Sequence, residues 1–292
     1  MDPIANNIEL ILTVMAVVGT MAGFLSGIFG IGGGIILVPA FFYMFDFLGY
    51  DEITAMHLAV ATSLAVSVFA TFSSFRSHLK RENVDTELLK SWGPTILIGV
   101  GIGAYIGTLV EGLVLLKVFA IYLILAAFAM VRCKETKPLF RDLPGQPWRG
   151  ITGVVIGSLS SMLGIGGGTI TVPKMALFGK PMKEAVGTAA ALSAMICTTG
   201  AISHIISGLI AGVSIPYSIG YVNWAAFVIV SPIGIFAARL GAMVAQKADA
   251  NRLRQFFAIF LVFIGVRMFY DAFQLTAYYD DVRVFVQQTL GF

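Results

Sequence analysis

The chain has 292 residues, of which 58% are hydrophobic and only 12% charged, and its mean hydropathy is +0.88. A water-soluble domain needs about a quarter charged residues, so this composition excludes an ordinary soluble protein and favours a chain that crosses a lipid bilayer several times. The net charge is only +3, and the basic residues are spread over short loops. This distribution argues against nucleic acid as a partner.

Ten helical segments are predicted along the chain, five in each half. The first-half segments are Leu10–Phe29, Gly34–Phe45, Ile53–Phe75, Leu88–Val110 and Leu113–Val131. The second-half segments are Ile151–Leu163, Gly168–Phe178, Glu184–Ser207, Ile219–Ala245 and Leu253–Phe273. A full crossing takes about 20 residues, so the first two segments of the second half are too short to cross alone. The Gly-rich turn that joins them should therefore lie inside the membrane, and by symmetry so should its counterpart in the first half.

The two halves of the chain repeat each other. The string Gly-Ile-Gly-Gly-Gly-Ile-Ile-Leu-Val-Pro, which ends at Pro39, returns as Gly-Ile-Gly-Gly-Gly-Thr-Ile-Thr-Val-Pro, which ends at Pro173. Further on, Phe119-Ala-Ile-Tyr-Leu returns as Phe257-Ala-Ile-Phe-Leu. We therefore predict one repeat at 1–132 and another at 150–274. A linker at 133–149 joins them and a tail at 275–292 follows.

The charges of the loops predict that the two repeats are inverted. Loops rich in Lys and Arg face the cytoplasm, and the basic loops are Arg76–Lys90, Arg132–Arg149, Lys180–Lys183 and Lys247–Arg254. Apart from the linker, each basic loop corresponds to an acidic or uncharged loop of the other half. Arg76–Lys90 corresponds to Gly208–Tyr217, Lys180–Lys183 to Asp46–Glu52, and Lys247–Arg254 to Val110–Leu113. The predicted fold is therefore an all-α polytopic membrane protein of two inverted repeats. Each repeat has three full transmembrane helices and one broken, re-entrant helix pair. Both termini should face the periplasm.

The broken helix pairs predict an anion site. Glycine permits such a break and lets backbone N–H groups approach a ligand, and the helix that follows presents unpaired N–H groups and the positive end of its dipole. Such an end binds anions without a buried cation, and inverted repeats bring two of them to the midplane. The alternative is that the glycines only let helices pack closely. The predicted substrate-binding residues at the turns are Gly32, Gly33, Gly34, Gly166, Gly167, Gly168 and Thr169.

Four polar residues within the spans each carry two open interpretations. Thr62 and Thr188 occupy equivalent positions, and their hydroxyls either donate to an oxyanion or bond back to their own helices. Lys174 and Arg239 are the cations best placed to attract an anion. Each of them either contacts the substrate or extends its charged end to the membrane surface. We add Thr62, Thr188 and Lys174 to the predicted site.

No metal site, cofactor site or catalytic group is predicted. Cys133 and Cys197 lie far apart in the sequence, and His57, His78 and His204 are scattered along it. Neither set has the spacing of a ligand group, and an enzyme would need such groups to converge. The chain is therefore not expected to be an enzyme.

The doubled Gly-x-Gly-Gly-Gly-x-x-x-Val-Pro motif, with Ala61–Ser63 and Val186–Thr188, resembles the sulfite exporter TauE/SafE family of membrane transporters. The likeness runs from about Leu12 to about Phe273. It implies export of sulfite, or of a related sulfur oxyanion or organosulfonate, across the bacterial inner membrane. The partners are then a small anion and membrane lipids, with a homodimer left open. Lys174 stands where Ala40 stands in the first half, and it is not part of the resemblance.

The carboxylates bear on how such export would be driven. None of them lies in the middle of a predicted span, so a buried proton relay is not predicted. Those near span ends are Asp46, Asp51, Glu52, Glu111, Glu184, Asp249 and Asp271. An inside-negative potential favours the exit of a monoanion by about 2.3 kcal/mol per 100 mV. We therefore expect uniport-like, potential-driven export. The alternative is a proton- or sodium-coupled importer of a sulfur-containing or other small organic anion.

Overall fold

The computed structural model describes residues 8–29, 32–132, 145, 147–244, 255 and 258–274. The first half forms five helices, α1 Ile8–Phe29, α2 Gly34–Phe47, α3 Glu52–Leu79, α4 Thr86–Leu109 and α5 Gly112–Arg132. The second half forms α6 Trp148–Met162, α7 Gly168–Leu177, α8 Met182–Ile210, strands β1 Ser218–Ile219 and β2 Val222–Asn223, α9 Trp224–Val244, and α10 at 258–274. Most of the predicted linker 133–149 and the whole predicted tail 275–292 lie outside the described residues.

Six helices in the described part of the chain, α1, α3, α4, α5, α8 and α9, are long and apolar enough to cross a membrane. Their hydrophobic side chains are exposed on the outside of the bundle, as expected where lipid is the solvent. The prediction of an all-α polytopic membrane protein is confirmed. The first helices of the two halves differ in length: α1 has 22 residues and could cross alone, whereas α6 has only 15.

One short hairpin was not expected from the sequence. Strands β1 and β2 pair in antiparallel fashion, with Ser218 opposite Asn223, and the turn between them uses Gly220 at φ 57°. Asn223 then caps α9, because its side-chain oxygen accepts a hydrogen bond from the Ala226 N–H at 2.9 Å. The predicted span Ile219–Ala245 therefore began too early. Ile219, Tyr221 and Val222 extend the apolar run, so hydropathy alone does not separate the hairpin from the helix.

Small residues join each half to the other along two seams. In the first seam α1 packs against α9, and a Cβ added at Gly23 would lie 2.3 Å from the carbonyl oxygen of Gly234. In the second, α4 packs against α6, and a Cβ at Gly99 would lie 2.2 Å from the carbonyl oxygen of Val154. Glycine therefore sets how closely the helices approach in both seams, as is common between membrane helices.

The two seams are the same contact formed twice. In the repeat, α1 corresponds to α6 and α4 to α9, so α1–α9 and α6–α4 are equivalent pairs. Both pairs run parallel, because successive contacts such as Gly23–Gly234 and Gly27–Ala238 advance together along the two helices.

The central helices α3 and α8, which also correspond to each other, run antiparallel. His57 near the start of α3 and His204 near the end of α8 both approach Gly107 at the end of α4. This arrangement favours the inverted repeat, whose orientation in the membrane and domain limits stay predictions.

Candidate functional site: two Gly-rich turns in contact

The turns that precede α2 and α7 touch each other. A Cβ added at Gly34 would lie 2.3 Å from the carbonyl oxygen of Gly164 and 3.1 Å from the Cα of Ile165. A Cβ at Gly32 would lie 3.5 Å from the Cα of Gly166. The sequence predicted that each half contributes one such turn, and the structure brings the two turns together between α3 and α8.

The backbone of the two turns has the same conformation. Gly33 has φ 73° and Gly167 has φ 74°, in the left-handed region that glycine adopts at little cost. The Gly33 carbonyl accepts hydrogen bonds from the N–H groups of Ile36 and Leu37, both at 3.0 Å. The Gly167 carbonyl accepts the corresponding bonds from α7, at 3.1 and 2.9 Å. Each helix therefore begins directly after a left-handed glycine.

The first N–H groups of α2 and α7 are candidate donors to a ligand. The N–H groups of Gly34 and Ile35, and those of Gly168 and Thr169, have no acceptor among the described residues. The first turn of any helix leaves such donors unpaired, and they carry the positive end of its dipole. Two helix N-termini are thus placed side by side, with geometry that suits an anion.

Buried serine hydroxyls accompany the turns. Ser67 of α3 lines a narrow cavity with Ser26, Gly32 and Gly33, and its hydroxyl has no hydrogen-bond partner in the described part of the chain. The same is true of Ser193, which occupies the position of Ser67 in α8, and of Ser160 and Ser161 at the end of α6. Buried hydroxyls of folded proteins are usually paired, so these groups are candidate donors to a ligand.

The cavity beside the first turn is very small. Only about 10 Å³ is open to the centre of a water-sized sphere, which is the lower limit for a single water. A sulfur oxyanion is larger than water and requires the turns or their neighbouring helices to separate.

Tyr122 of α5 is a residue at the second turn that the sequence analysis missed. Its hydroxyl contacts the hydroxyl of Thr169, the second residue of α7. At the equivalent positions the first half-site has Ile35 and the second repeat has Phe260. The signal was present in the repeat, since Phe-Ala-Ile-Tyr-Leu and Phe-Ala-Ile-Phe-Leu differ only at this position.

Thr62 and Thr188 form reciprocal contacts between the halves. The Thr62 hydroxyl accepts a hydrogen bond from the N–H of Asn223 at 3.0 Å, and the Thr188 hydroxyl accepts one from the N–H of Asp85 at 2.8 Å. Asn223 and Asp85 are the capping residues of α9 and α4. Both threonines are fully buried, and these bonds position the start of a helix from the other half. Contact with the substrate stays a prediction for both.

The two candidate cations lie in different surroundings. Lys174 is half-buried on α7, with its ammonium 5.7 Å from the centre of the Trp92 ring. Arg239 is exposed on α9. The structure thus places Lys174, and not Arg239, beside a buried side chain of the other half.

Charged and metal-binding groups are sparse near the turns. The described residues contain no group of three or more His, Cys, Asp or Glu side chains that could hold a metal.

Outside the spans, Asp85 and Lys180 form an ion pair at 2.5 Å. Burial alone would raise the pKa of Asp85, but hydrogen bonds from Lys180 and from the Leu88 N–H bring it below its ordinary value. The hydrogen bond to Asp85 in turn raises the pKa of Lys180.

Comparison of the sequence with known proteins identifies the family of this chain. The family described as Sulfite exporter TauE/SafE matches the chain over residues 15–268. A probable membrane transporter protein of Haemophilus influenzae is 32% identical over 255 residues, which cover 86% of this chain and 96% of that protein. The probable membrane transporter protein YunE of Bacillus subtilis is 29% identical over 281 residues, which cover 88% and 97%. No solved structure matches the chain. Because the family match spans most of the sequence, the chain belongs to the sulfite exporter TauE/SafE family of membrane transporters.

Proposed function

We propose that the protein exports sulfite, or a related sulfur oxyanion or organosulfonate, through an anion site between the two Gly-rich turns. The observation that carries this proposal is the contact between two helix N-termini whose first N–H groups have no acceptor among the described residues. The buried, unpartnered hydroxyls of Ser67 and Ser193 add side-chain donors at equivalent positions. The proposed contacts are Gly32, Gly33, Gly34, Gly166, Gly167, Gly168 and Thr169.

The arrangement suits a small oxyanion for a physical reason. In a low-dielectric interior, a buried anion is stabilised by oriented N–H dipoles. Dipoles hold it less firmly than a permanent ion pair with Lys or Arg would, so the anion can leave again. Transport requires both properties, since the substrate must be bound and then released.

We further propose that the membrane potential drives export without a coupling ion. The Asp and Glu residues of helices α1 to α9 all lie within four residues of a helix end, so the middle of each of these helices carries no carboxylate to relay protons. The orientation proposed from the loop charges places both termini in the periplasm and the linker 133–149 in the cytoplasm of a bacterial cell.

The test is transport by the purified protein in liposomes loaded with sulfite. An imposed potential, negative inside, should accelerate sulfite release severalfold, because the substrate carries net negative charge outward. Gly33→Val and Gly167→Val should abolish release, since a side chain is strained at the positive φ of both positions. Release that ignores the potential and follows a pH gradient would overturn the uniport mechanism. Unchanged release by both variants would overturn the site.

One contact favours the alternative of a proton- or sodium-coupled importer. Asp271 of α10 accepts a hydrogen bond from the hydroxyl of Tyr43 on α2 at 2.8 Å, and it also pairs with Arg267. It therefore links a carboxylate to the re-entrant helix. Asp271→Asn decides between the two functions. Under our proposal the variant keeps potential-driven release, whereas a coupled importer would lose its dependence on the proton or sodium gradient.

A further inference from the structure

Trp92 is the fully buried tryptophan of α4, and its polar group lacks a partner. The side chain has no exposed surface, and its indole N–H has no acceptor in the described part of the chain. The other two tryptophans, Trp148 and Trp224, are 65% and 47% exposed. A buried indole N–H normally finds a hydrogen-bond partner, so a ligand is a reasonable candidate for this one.

Lys174 places a positive charge beside the same ring. Its ammonium lies 5.7 Å from the ring centre, within the range of a cation–π contact. No carboxylate forms an ion pair with it among the described residues. The ammonium is therefore held against a buried aromatic ring of the other half.

We propose that the Trp92 N–H and the Lys174 ammonium form a second anion-binding subsite, distinct from the Gly-rich turns. The ammonium lies 5.7 Å from the centre of the ring that carries the N–H, so both donors belong to one pair of neighbouring side chains. An oxyanion with at least two oxygens can then accept one bond from each. This subsite rests on the proposed transport function, because it would hold the same substrate before or after the central site.

The subsite lies between the turns and one end of the molecule. Lys174 is six residues beyond Gly168, which places it about 9 Å along α7 from the turn. Trp92 is seven residues beyond Asp85, whose ion pair with Lys180 marks the loops at that end. Under the proposed orientation, this end faces the cytoplasm. The subsite would therefore receive the anion before it reaches the turns.

The repeat shows that this feature belongs to one side only. At the positions equivalent to Lys174 and Trp92, the other half has Ala40 and Val230. Neither side chain can donate a hydrogen bond. A substrate that leaves the turns on the far side therefore meets no corresponding subsite, as expected if this side serves to capture substrate.

Fluorescence of Trp92 provides the test. In the double variant Trp148→Phe, Trp224→Phe, Trp92 is the only tryptophan of the three, and the replaced residues are exposed. We expect the anion iodide to quench Trp92 more strongly than neutral acrylamide does, and sulfite to protect against iodide. Lys174→Met should weaken iodide quenching by at least about tenfold, as expected for the loss of a hydrogen bond to a charged group. Lys174→Arg should retain it.

Matched controls separate this subsite from a structural cation–π pair. Arg239→Ala removes an exposed cation and should leave iodide quenching unchanged. Acrylamide quenching and the emission maximum of Trp92 report whether Lys174→Met remains folded. Iodide quenching that is no stronger than acrylamide quenching, or that persists in Lys174→Met, overturns the subsite.

Transport distinguishes failure of the subsite from failure of the function. Trp92→Phe keeps an aromatic ring under Lys174 but removes the N–H, so it should raise the KM for sulfite. Unchanged KM in both Trp92→Phe and Lys174→Met overturns the subsite and leaves the export function standing. Quenching by iodide with protection by sulfite, but no sulfite transport by the wild type, overturns the export function instead.

Discussion

The two Gly-rich turns have the same backbone and different side chains. Gly33 and Gly167 agree within a degree in φ, and each carbonyl accepts the same two helical hydrogen bonds. Within the repeated string the first half-site has Ile35 and Ala40, whereas the second has Thr169 and Lys174 at those positions. The backbone donors and the Ser67 and Ser193 hydroxyls are thus duplicated, but the Thr169 hydroxyl and the Lys174 ammonium are not.

Under the proposed function, the backbone donors shared by the two half-sites bind the anion, and the side chains that differ between them orient it. Backbone N–H groups at two helix N-termini supply favourable electrostatics from both halves. The Thr169 hydroxyl and the Lys174 ammonium add donors that the first half-site lacks at the equivalent positions. Under the proposed function, duplication accounts for the shared donors, and the divergence of a few side chains accounts for the difference between the half-sites. Variants that act on the shared backbone should therefore have larger effects than variants that act on one half-site.

The largest expected effect comes from separating the two turns. In Gly34→Ala the new Cβ would lie 2.3 Å from the Gly164 carbonyl oxygen, a backbone atom that cannot move without displacing the second turn. We expect transport to fall by about two orders of magnitude, the effect typical of a misplacement of about 1 Å at a site. The measurement is the initial rate of sulfite release from proteoliposomes.

A matched glycine controls for the substitution itself. Gly101 of α4 has no atom within 4 Å of the added Cβ, so Gly101→Ala should transport at the wild-type rate. Size-exclusion chromatography should show both variants folded. Wild-type transport by Gly34→Ala would mean that contact between the turns is not required.

A smaller effect is expected where the turns differ. Tyr122→Phe removes the hydroxyl that contacts Thr169 and converts the second half-site towards the first, which has Phe260 at the equivalent position. If the hydroxyl pair orients the anion, KM for sulfite should rise about tenfold, the equivalent of one hydrogen bond of about 1.4 kcal/mol. The measurement is the concentration dependence of sulfite release.

The reciprocal variant sharpens the same comparison. Phe260→Tyr adds a hydroxyl to the equivalent position of the other half, where Ile35 offers no hydrogen-bonding side chain. We expect no decrease in KM, because the new hydroxyl lacks its partner. Equal changes in KM for the two variants would contradict the asymmetry of the half-sites.

The sequence predicted those parts of the molecule that depend on composition and repetition. Hydropathy located the helices, because an apolar stretch of sufficient length in an otherwise uncharged segment has few alternatives to a membrane span. The repeated Gly-rich string located both turns, because only glycine allows this backbone. Loop charges predicted the inversion that the antiparallel packing of α3 and α8 now favours.

Contacts between distant residues could not be predicted in the same way. Thr62 bonds to Asn223, 161 residues away, and no local pattern identifies that partner. Trp92 lies near the end of a predicted span, where nothing in the sequence indicates burial, but it is completely buried. Its burial follows from the packing of α6 and α8 against α4, which no local pattern predicts.

The smallest expected effect concerns the two helix caps that receive bonds across the halves. Asp85 caps α4 and pairs with Lys180, whereas Asn223 caps α9 and bonds to the neutral Ser218. Asp85→Asn makes the first cap resemble the second, because Asn also caps helices well. At pH 7 it should lower the free energy of unfolding by only about 1 kcal/mol, the scale of a partly exposed ion pair.

The pH dependence of that loss identifies its cause. Because the pKa of Asp85 is lowered in the folded protein, its stabilising contribution is present above the unfolded pKa of about 4 and is lost as the pH falls through the folded pKa. The pKa of Lys180 is raised, so its contribution is present below its unfolded pKa and is lost as the pH rises through the folded value. The difference in Tm between wild type and Asp85→Asn should therefore be largest near neutral pH and shrink at both extremes.

Thr188→Val removes the uncharged acceptor of the Asp85 N–H, so its Tm deficit should stay constant with pH. A constant deficit for Asp85→Asn as well would show that the carboxylate acts only as a cap.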